Sequence, residues 1–188
     1  MKLHMDGARL ANAAAHLEVP LRAFTRDAGV DILSFGGTKN GLLFGEVVVA
    51  LHPDAAHGLL FLRKMNMQLA SKMRFMSAQF IALLEGDLWL RSAAHANAMA
   101  TRLRSAVDAI DGVEPTQKTE SNGVFAILPE GVADRLRQSF RFYDWNESAR
   151  EVRWMCSFDT SEEDVDAFVE AIKRELSGHG PASTAGAQ

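Results

Sequence analysis

An apolar run at residues 30–35, ended by Gly36 and Gly37, constrains the fold of this chain most strongly. Its length and the glycines that follow are typical of a buried strand. Two further strands are predicted at residues 1–5 and 46–51. Between the strand at 1–5 and the strand at 30–35, apolar residues recur at helical spacing, which predicts a helix there. Because strands and helices alternate, we predict an α/β sheet of parallel strands. Ligand groups collect at the carboxyl ends of such strands, where Asp6 and the loop 36–41 fall.

The pattern of apolar and polar residues divides the rest of the chain into three segments. Residues 53–111 read as a long helical region whose apolar stripe, from Leu59 to Phe80, predicts core and interface positions. Short strands and helices then alternate from residue 112 to 176, which predicts a small α+β domain. The stretch 177–188 contains Gly, Ala, Ser and Pro without periodicity, and we predict that it is disordered. The predicted organisation is therefore a large-domain portion at 1–111, a small domain at 112–176 and a tail.

Composition excludes several classes of function. The 188 residues carry a net charge of -4, so no basic field favours nucleic acid or an anionic membrane. The apolar stretches are too short for a membrane span. The single cysteine, Cys156, forms no internal disulfide and cannot build a thiolate metal cluster, so we expect no metal and a reducing, cytoplasmic location.

Three side chains near the predicted strand ends could carry chemistry. Asp6 could be a helix N-cap, Arg9 a solvated charge, and Lys39 an exposed loop lysine. Together, however, a lysine in a tight glycine loop and an aspartate at a neighbouring strand end are the two groups that a pyridoxal phosphate (PLP) site requires. The lysine forms a Schiff base, and the aspartate pairs with the pyridinium nitrogen.

Four stretches make a family resemblance specific. They are HMDGARLANA, DILSFGGTKNG, RKMNMQLASKMRFMSAQF and VRWMCSFDTSEEDVDAF, and they begin at His4, Asp31, Arg63 and Val152. Their sequences and order resemble the low-specificity L-threonine aldolases. These are PLP-dependent enzymes of the β-eliminating lyase group with the aspartate aminotransferase-like fold. The implied fold is thus α/β, a partial fold type I large domain with a small α+β C-terminal domain.

The resemblance also implies a role for each matching residue. Lys39 would bind the cofactor covalently, and Asp6 would contact its ring nitrogen. Arg9, placed one turn into the next helix, would reach the 3-hydroxyl of PLP or the substrate carboxylate. Arg153 would bind the α-carboxylate of the amino acid, a task that suits the planar arginine fork. Either Lys72 or Arg74 would reach the cofactor phosphate of a neighbouring subunit.

Part of the family pattern is missing. Members carry, ahead of this region, a phosphate-binding segment rich in glycine and serine and a histidine that stacks on the ring. The chain starts shortly before Asp6, so we expect the N-terminal half of the large domain to be absent. His4 is no substitute for that histidine, since it lies on the strand beside Asp6, where packing or a hydrogen bond in the sheet is expected. The identity of the hydroxyl base stays open.

The implied activity is retro-aldol cleavage of L-threonine or L-allo-threonine to glycine and acetaldehyde. The implied partners are a small β-hydroxy amino acid, further copies in a homodimer or homotetramer, and a missing N-terminal fragment. Two alternatives remain: another fold type I β-eliminating lyase or aminotransferase-like enzyme, and an inactive truncated or split-gene product. We expect the chain alone to be a poor enzyme.

Overall fold

A computed structural model describes residues 1–178, which form two compact units. The first contains residues 1–95 and Ser157–Asp159, and the second contains Ala96–Cys156 and the described residues from Thr160 onward. This division falls within a helix, whereas the predicted boundary lies at residues 111 and 112. The domain assignment stays a prediction. The predicted tail lies, from residue 179 onward, outside the described residues.

The first unit contains a three-stranded sheet in the order β1 (His4–Gly7), β2 (Ile32–Gly36) and β3 (Glu46–Ala50). Strands β1 and β2 are parallel, as predicted. The prediction is wrong for β3, which runs antiparallel to β2. Only residues 37–45 connect these two strands, and a parallel crossover needs a dozen or more residues. The sheet is therefore mixed.

Alternation along β2 separates the two faces of this sheet. Leu33 and Phe35 are buried and pack with Leu10 of helix α1 (Leu10–Leu17) in one apolar cluster. The alternating positions put Asp6 and its register partner Ser34 on the opposite face. One face thus forms a core, while the other presents polar groups.

The predicted helical region is broken into separate elements. These are α2 (Leu59–Met65), α3 (Met73–Leu84) and α4 (Leu88–Val107). Helix α2 has no buried residue, and Phe61 and Met65 are each 76% exposed, so the core part of the prediction is wrong for α2, while the interface part stays a prediction. Met67 has a left-handed backbone conformation (φ 57°), which ends regular helix between α2 and α3.

The second unit is a four-stranded antiparallel sheet packed against helices, as the predicted α+β pattern requires. Its strand order is β4 (Glu114–Pro115), β5 (Gly123–Ile127), β7 (Glu151–Met155) and β6 (Tyr143–Asn146). Helices α5 (Val132–Leu136) and α6 (Glu162–Leu176) complete it. Ser161 and Asp164 form a reciprocal capping box at the start of α6. Val124, Val152 and Ile172 are fully buried in the core of this unit.

Within the described residues, none of the helices combines the length and apolar character needed to cross a membrane.

Candidate active site

Asp6 lies near the carboxyl end of β1 and is exposed. One carboxylate oxygen accepts a hydrogen bond from the backbone N–H of Ala8 at 3.0 Å. Helix α1 begins only at Leu10, so Asp6 does not cap it, and the alternative of an N-cap is wrong. The bond to Ala8 orients the carboxylate while leaving it on the polar face of the sheet.

Lys39 lies in a single 3-10 turn (Thr38–Asn40) that directly follows the glycines at the end of β2. The turn is held on both sides of the lysine. The Thr38 hydroxyl accepts a bond from the Gly45 N–H at 3.0 Å, and the buried Asn40 amide donates to the Trp89 carbonyl at 2.8 Å. Lys39 itself is exposed and has no ion pair within residues 1–178. A fixed backbone therefore presents a solvent-accessible amine.

The loops that carry Asp6 and Lys39 are neighbours. In the parallel pair, Asp6 lies opposite Ser34, and Gly36 at the end of β2 packs directly on the backbone of Ala8. The structure thus brings together at one sheet edge the two loops that the sequence assigned to the site. The signal that we missed was Asn40, which anchors the turn and is visible in the sequence as the asparagine of TKNG.

Arg9 lies at the N-cap position of α1. The expectation that it falls one turn into the helix is wrong, because β1 extends to Gly7 and a turn separates it from the helix. The side chain is half-buried, in contrast to the exposed Asp6. Its contact with the cofactor or the substrate stays a prediction.

Arg153 belongs to the second unit and occupies the middle of β7. It lies on the sheet face opposite the core, since its neighbours Val152 and Trp154 are the buried residues of the strand. The guanidinium carbon is 5.0 Å from the centre of the Trp145 ring. The sequence analysis missed Trp145. The aromatic cluster around it, FRFYDW, was the available signal.

Lys72 and Arg74 frame the start of α3, with Lys72 at the N-cap position. Both side chains are exposed. The Arg74 guanidinium lies over the ring of Phe75, 4.8 Å from its centre. Their proposed reach to a neighbouring subunit stays a prediction.

His4 and Cys156, the other side chains considered for chemistry, both have surroundings that belong to the fold. His4 shares a hydrogen bond between its Nε2 and the Ser34 hydroxyl at 2.9 Å, the kind of role expected for it in the sheet. Cys156 is buried, and burial raises the pKa of its thiol to about 11, so it remains a neutral thiol at neutral pH. No group of three His, Cys, Asp or Glu side chains within residues 1–178 is arranged to hold a metal ion.

The residues present fit PLP. The cofactor needs an accessible amine and a carboxylate, and both are found on adjoining loops at the carboxyl ends of two parallel strands. The Asp6 carboxylate can accept a further hydrogen bond besides that from Ala8. Lys39 has no carboxylate partner in the described chain that would have to be displaced.

Comparison with known proteins identifies the class of fold. The structure matches a threonine aldolase of Leishmania major with a TM-score of 0.81 and 28% identity, covering 93% of this chain and 52% of that one. A serine palmitoyltransferase of Sphingomonas wittichii matches with a TM-score of 0.59 and 16% identity, covering 82% of this chain and 41% of that one. The fold is that of the fold type I PLP-dependent enzymes, as the resemblance implied.

Sequence comparison then identifies the family. The beta-eliminating lyase family matches residues 1–128. The low specificity L-threonine aldolase of Pseudomonas sp. (strain NCIMB 10558) is 44% identical over 94% of this chain, and that of Pseudomonas aeruginosa is 41% identical over 92%. This chain belongs to the beta-eliminating lyase family. It spans about half the length of the curated relatives that it matches.

Proposed function

We propose that this chain supplies the lysine-bearing half of a PLP-dependent aldehyde-lyase. The enzyme would cleave L-threonine and L-allo-threonine to glycine and acetaldehyde. The observation that carries the proposal is the placement of the Lys39 turn beside the Asp6 loop at the ends of β1 and β2. Identity of 41–44% to aldolases favours this substrate over those of other fold type I enzymes, whose likeness supports the fold alone.

Each residue has a separate task in this proposal. Bound PLP supplies an aldehyde that condenses with amines and a ring that accepts electrons released at the substrate α-carbon. The Lys39 amine holds the cofactor covalently. The Asp6 carboxylate keeps a proton on the ring nitrogen, because a negative charge nearby favours the protonated form. Arg153 binds the substrate carboxylate, and Arg9 contributes to cofactor or substrate binding.

The proposal includes further copies of the chain and a complementary N-terminal half. The exposed apolar side chains of α2, such as Leu60, Phe61 and Met65, support a homodimer or homotetramer because burying them would remove apolar surface from water. Lys72 or Arg74 would then reach the cofactor phosphate of the other subunit. The single cysteine supports a cytoplasmic location.

The test is an activity measurement with L-threonine and PLP, following glycine and acetaldehyde together. The chain is measured alone and after co-expression with the N-terminal half of the Pseudomonas aldolase. We expect turnover with the added half and little without it. Lys39→Ala is the matched control and should abolish turnover. Absence of both products in the combined sample, with PLP bound, would contradict the aldolase assignment.

A further inference from the structure

One sheet face of the second unit surrounds an arginine with aromatic side chains. Strand β7 places Val152 and Trp154 in the core and Arg153 on the opposite face. The register sets Arg153 directly beside Phe125 of β5 and Tyr143 of β6. Both strands that border Arg153 therefore bring an aromatic residue to it.

The guanidinium stacks on a ring instead of pairing with a carboxylate. Its carbon lies 5.0 Å from the centre of the Trp145 ring, and Phe125 meets that ring edge-on, with centres 5.1 Å apart and planes at 74°. The Arg153 Nε atom is buried and has no hydrogen-bond partner among the described residues. Phe125 thus supports Trp145, and Trp145 supports the arginine.

The carboxylate closest along the strand is engaged elsewhere. Glu151, two residues before Arg153 and on the same face, accepts a hydrogen bond from the Thr116 hydroxyl. Arg153 forms no ion pair within residues 1–178. An arginine held by an aromatic ring keeps the in-plane N–H donors of its two Nη atoms available, whereas an arginine paired with Glu151 would already use them.

We propose that Trp145 is a positioning residue for substrate carboxylate binding. Stacking on its indole fixes the plane of the Arg153 guanidinium, so that two parallel N–H donors meet an incoming carboxylate. This inference rests on the proposed role of Arg153 and adds the residue that orients it. The recognised group is an α-carboxylate, the group common to amino acid substrates.

The experiment observes Arg153 directly in the 188-residue chain by NMR of its Nε–Hε signal, assigned by its loss in Arg153→Lys. Sodium acetate is the probe, with sodium chloride at equal ionic strength as the reference. We expect acetate alone to move the signal saturably. Trp145→Ala should weaken acetate binding about fivefold, and Trp145→Phe, which keeps a ring, no more than about twofold. Backbone amide spectra show that each variant folds.

A control and two contrary outcomes make the result decisive. Gln138→Ala truncates an exposed side chain of the same unit that lies outside the strands bordering Arg153, and it should leave acetate binding unchanged. If the signal of the unmodified chain ignores acetate, the carboxylate role of Arg153 fails, and the inference fails with it. If acetate binds equally well to folded Trp145→Ala, Arg153 keeps its role and the positioning role of Trp145 is overturned.

Discussion

Gly36 and Ala8 pack backbone against backbone, so closely that a Cβ on Gly36 would lie 2.5 Å from the carbonyl oxygen of Ala8. Gly36 ends the strand that leads to Lys39, and Ala8 donates the hydrogen bond that orients Asp6. The spacing between the loops that carry Asp6 and Lys39 therefore depends on the absence of a side chain at residue 36.

Replacing Gly36 with alanine should separate these loops. The added methyl group would collide with backbone, which cannot move aside as a side chain can, and we expect a loss of about 1–3 kcal/mol in the free energy of unfolding. PLP binding should weaken as well. Urea unfolding and cofactor titration measure the two effects.

Gly58→Ala is the control for this substitution, because no atom lies within 4 Å of its added Cβ. Its positive φ of 77° predicts a loss of about 1 kcal/mol from backbone strain. PLP binding should not change. Equal PLP affinity in Gly36→Ala and the unmodified chain would contradict the close coupling of the two loops.

Arg153→Ala should weaken the use of amino acid substrates. Removing a hydrogen-bond partner of a charged group costs about 1.5–3 kcal/mol, which corresponds to a loss of roughly 10- to 150-fold in kcat/KM. The assay uses the chain co-expressed with the N-terminal half of the Pseudomonas aldolase, and PLP absorbance should stay normal. Arg153→Lys keeps the positive charge but lacks the planar guanidinium, so its kcat/KM should lie between those of the unmodified enzyme and Arg153→Ala. An unchanged kcat/KM would remove Arg153 from the site.

The sequence predicted the elements whose local signals agree with their packing. Helix α6 (Glu162–Leu176) lies in the stretch 112–176, where the sequence predicts alternating strands and helices, and its capping box agrees with its packing. The parallel pairing of β1 and β2, and hence the position of Asp6, also followed from pattern. Elements determined by distant contacts were harder to predict. Strand β6 alternates aromatic and polar residues, but it has only four residues and all of them are exposed, so it was not recognised as a strand from the pattern.

The candidate site shows the same limit. Local residue types revealed Lys39 and Asp6, whereas the support of the lysine turn comes from the bond between Asn40 and the distant Trp89 carbonyl. The contact between Arg153 and Trp145 joins two strands that pair only in the folded unit. Such contacts arise from tertiary packing and have no local sequence period.

Cys156 should react slowly with thiol reagents. Burial raises its pKa from an ordinary value of about 9 to about 11, so its thiolate fraction at pH 8 is about 100-fold lower than that of an exposed thiol. We expect a chromogenic disulfide reagent to react with Cys156 of the folded chain at least about 100-fold more slowly than with an exposed thiol. After unfolding in urea, Cys156 should react rapidly. A native rate equal to the unfolded rate would contradict burial.

The same pKa predicts a dependence of stability on pH. The folded chain retains the thiol proton to higher pH than the unfolded chain does, so the contribution of Cys156 is fully present below about pH 9 and declines towards about pH 11. Cys156→Ser, which lacks this titration in the same range, should show a shallower decline in urea unfolding measured between these pH values.

Asp31 should make the first unit sensitive to acid. Its carboxylate accepts a bond from the Leu3 N–H at 2.8 Å and from the Lys2 ammonium at 3.2 Å, and these contacts lower its pKa below the usual 3.8. The stabilisation is therefore present above about pH 4 and is lost as the pH falls through the lowered pKa. Asp31→Asn should be less stable than the unmodified chain at pH 7.

The difference in the free energy of unfolding between Asp31→Asn and the unmodified chain should shrink at low pH. Urea unfolding at pH 7 and pH 3 measures it. Asp111→Asn, which removes one charge from an exposed position, is the control and should change little at either pH. A difference between Asp31→Asn and the unmodified chain that stays the same at both pH values would show that Asp31 acts without its charge.

The covalent attachment of PLP tests the central claim most directly. The chain, co-expressed with the N-terminal half of the Pseudomonas aldolase, is incubated with less than one equivalent of PLP, reduced with borohydride, digested and mapped by mass spectrometry. Our account predicts a pyridoxyl group on Lys39, and Lys39→Arg should lose the modification. Modification of another lysine, such as Lys64 or Lys72, with Lys39 unmodified would contradict it.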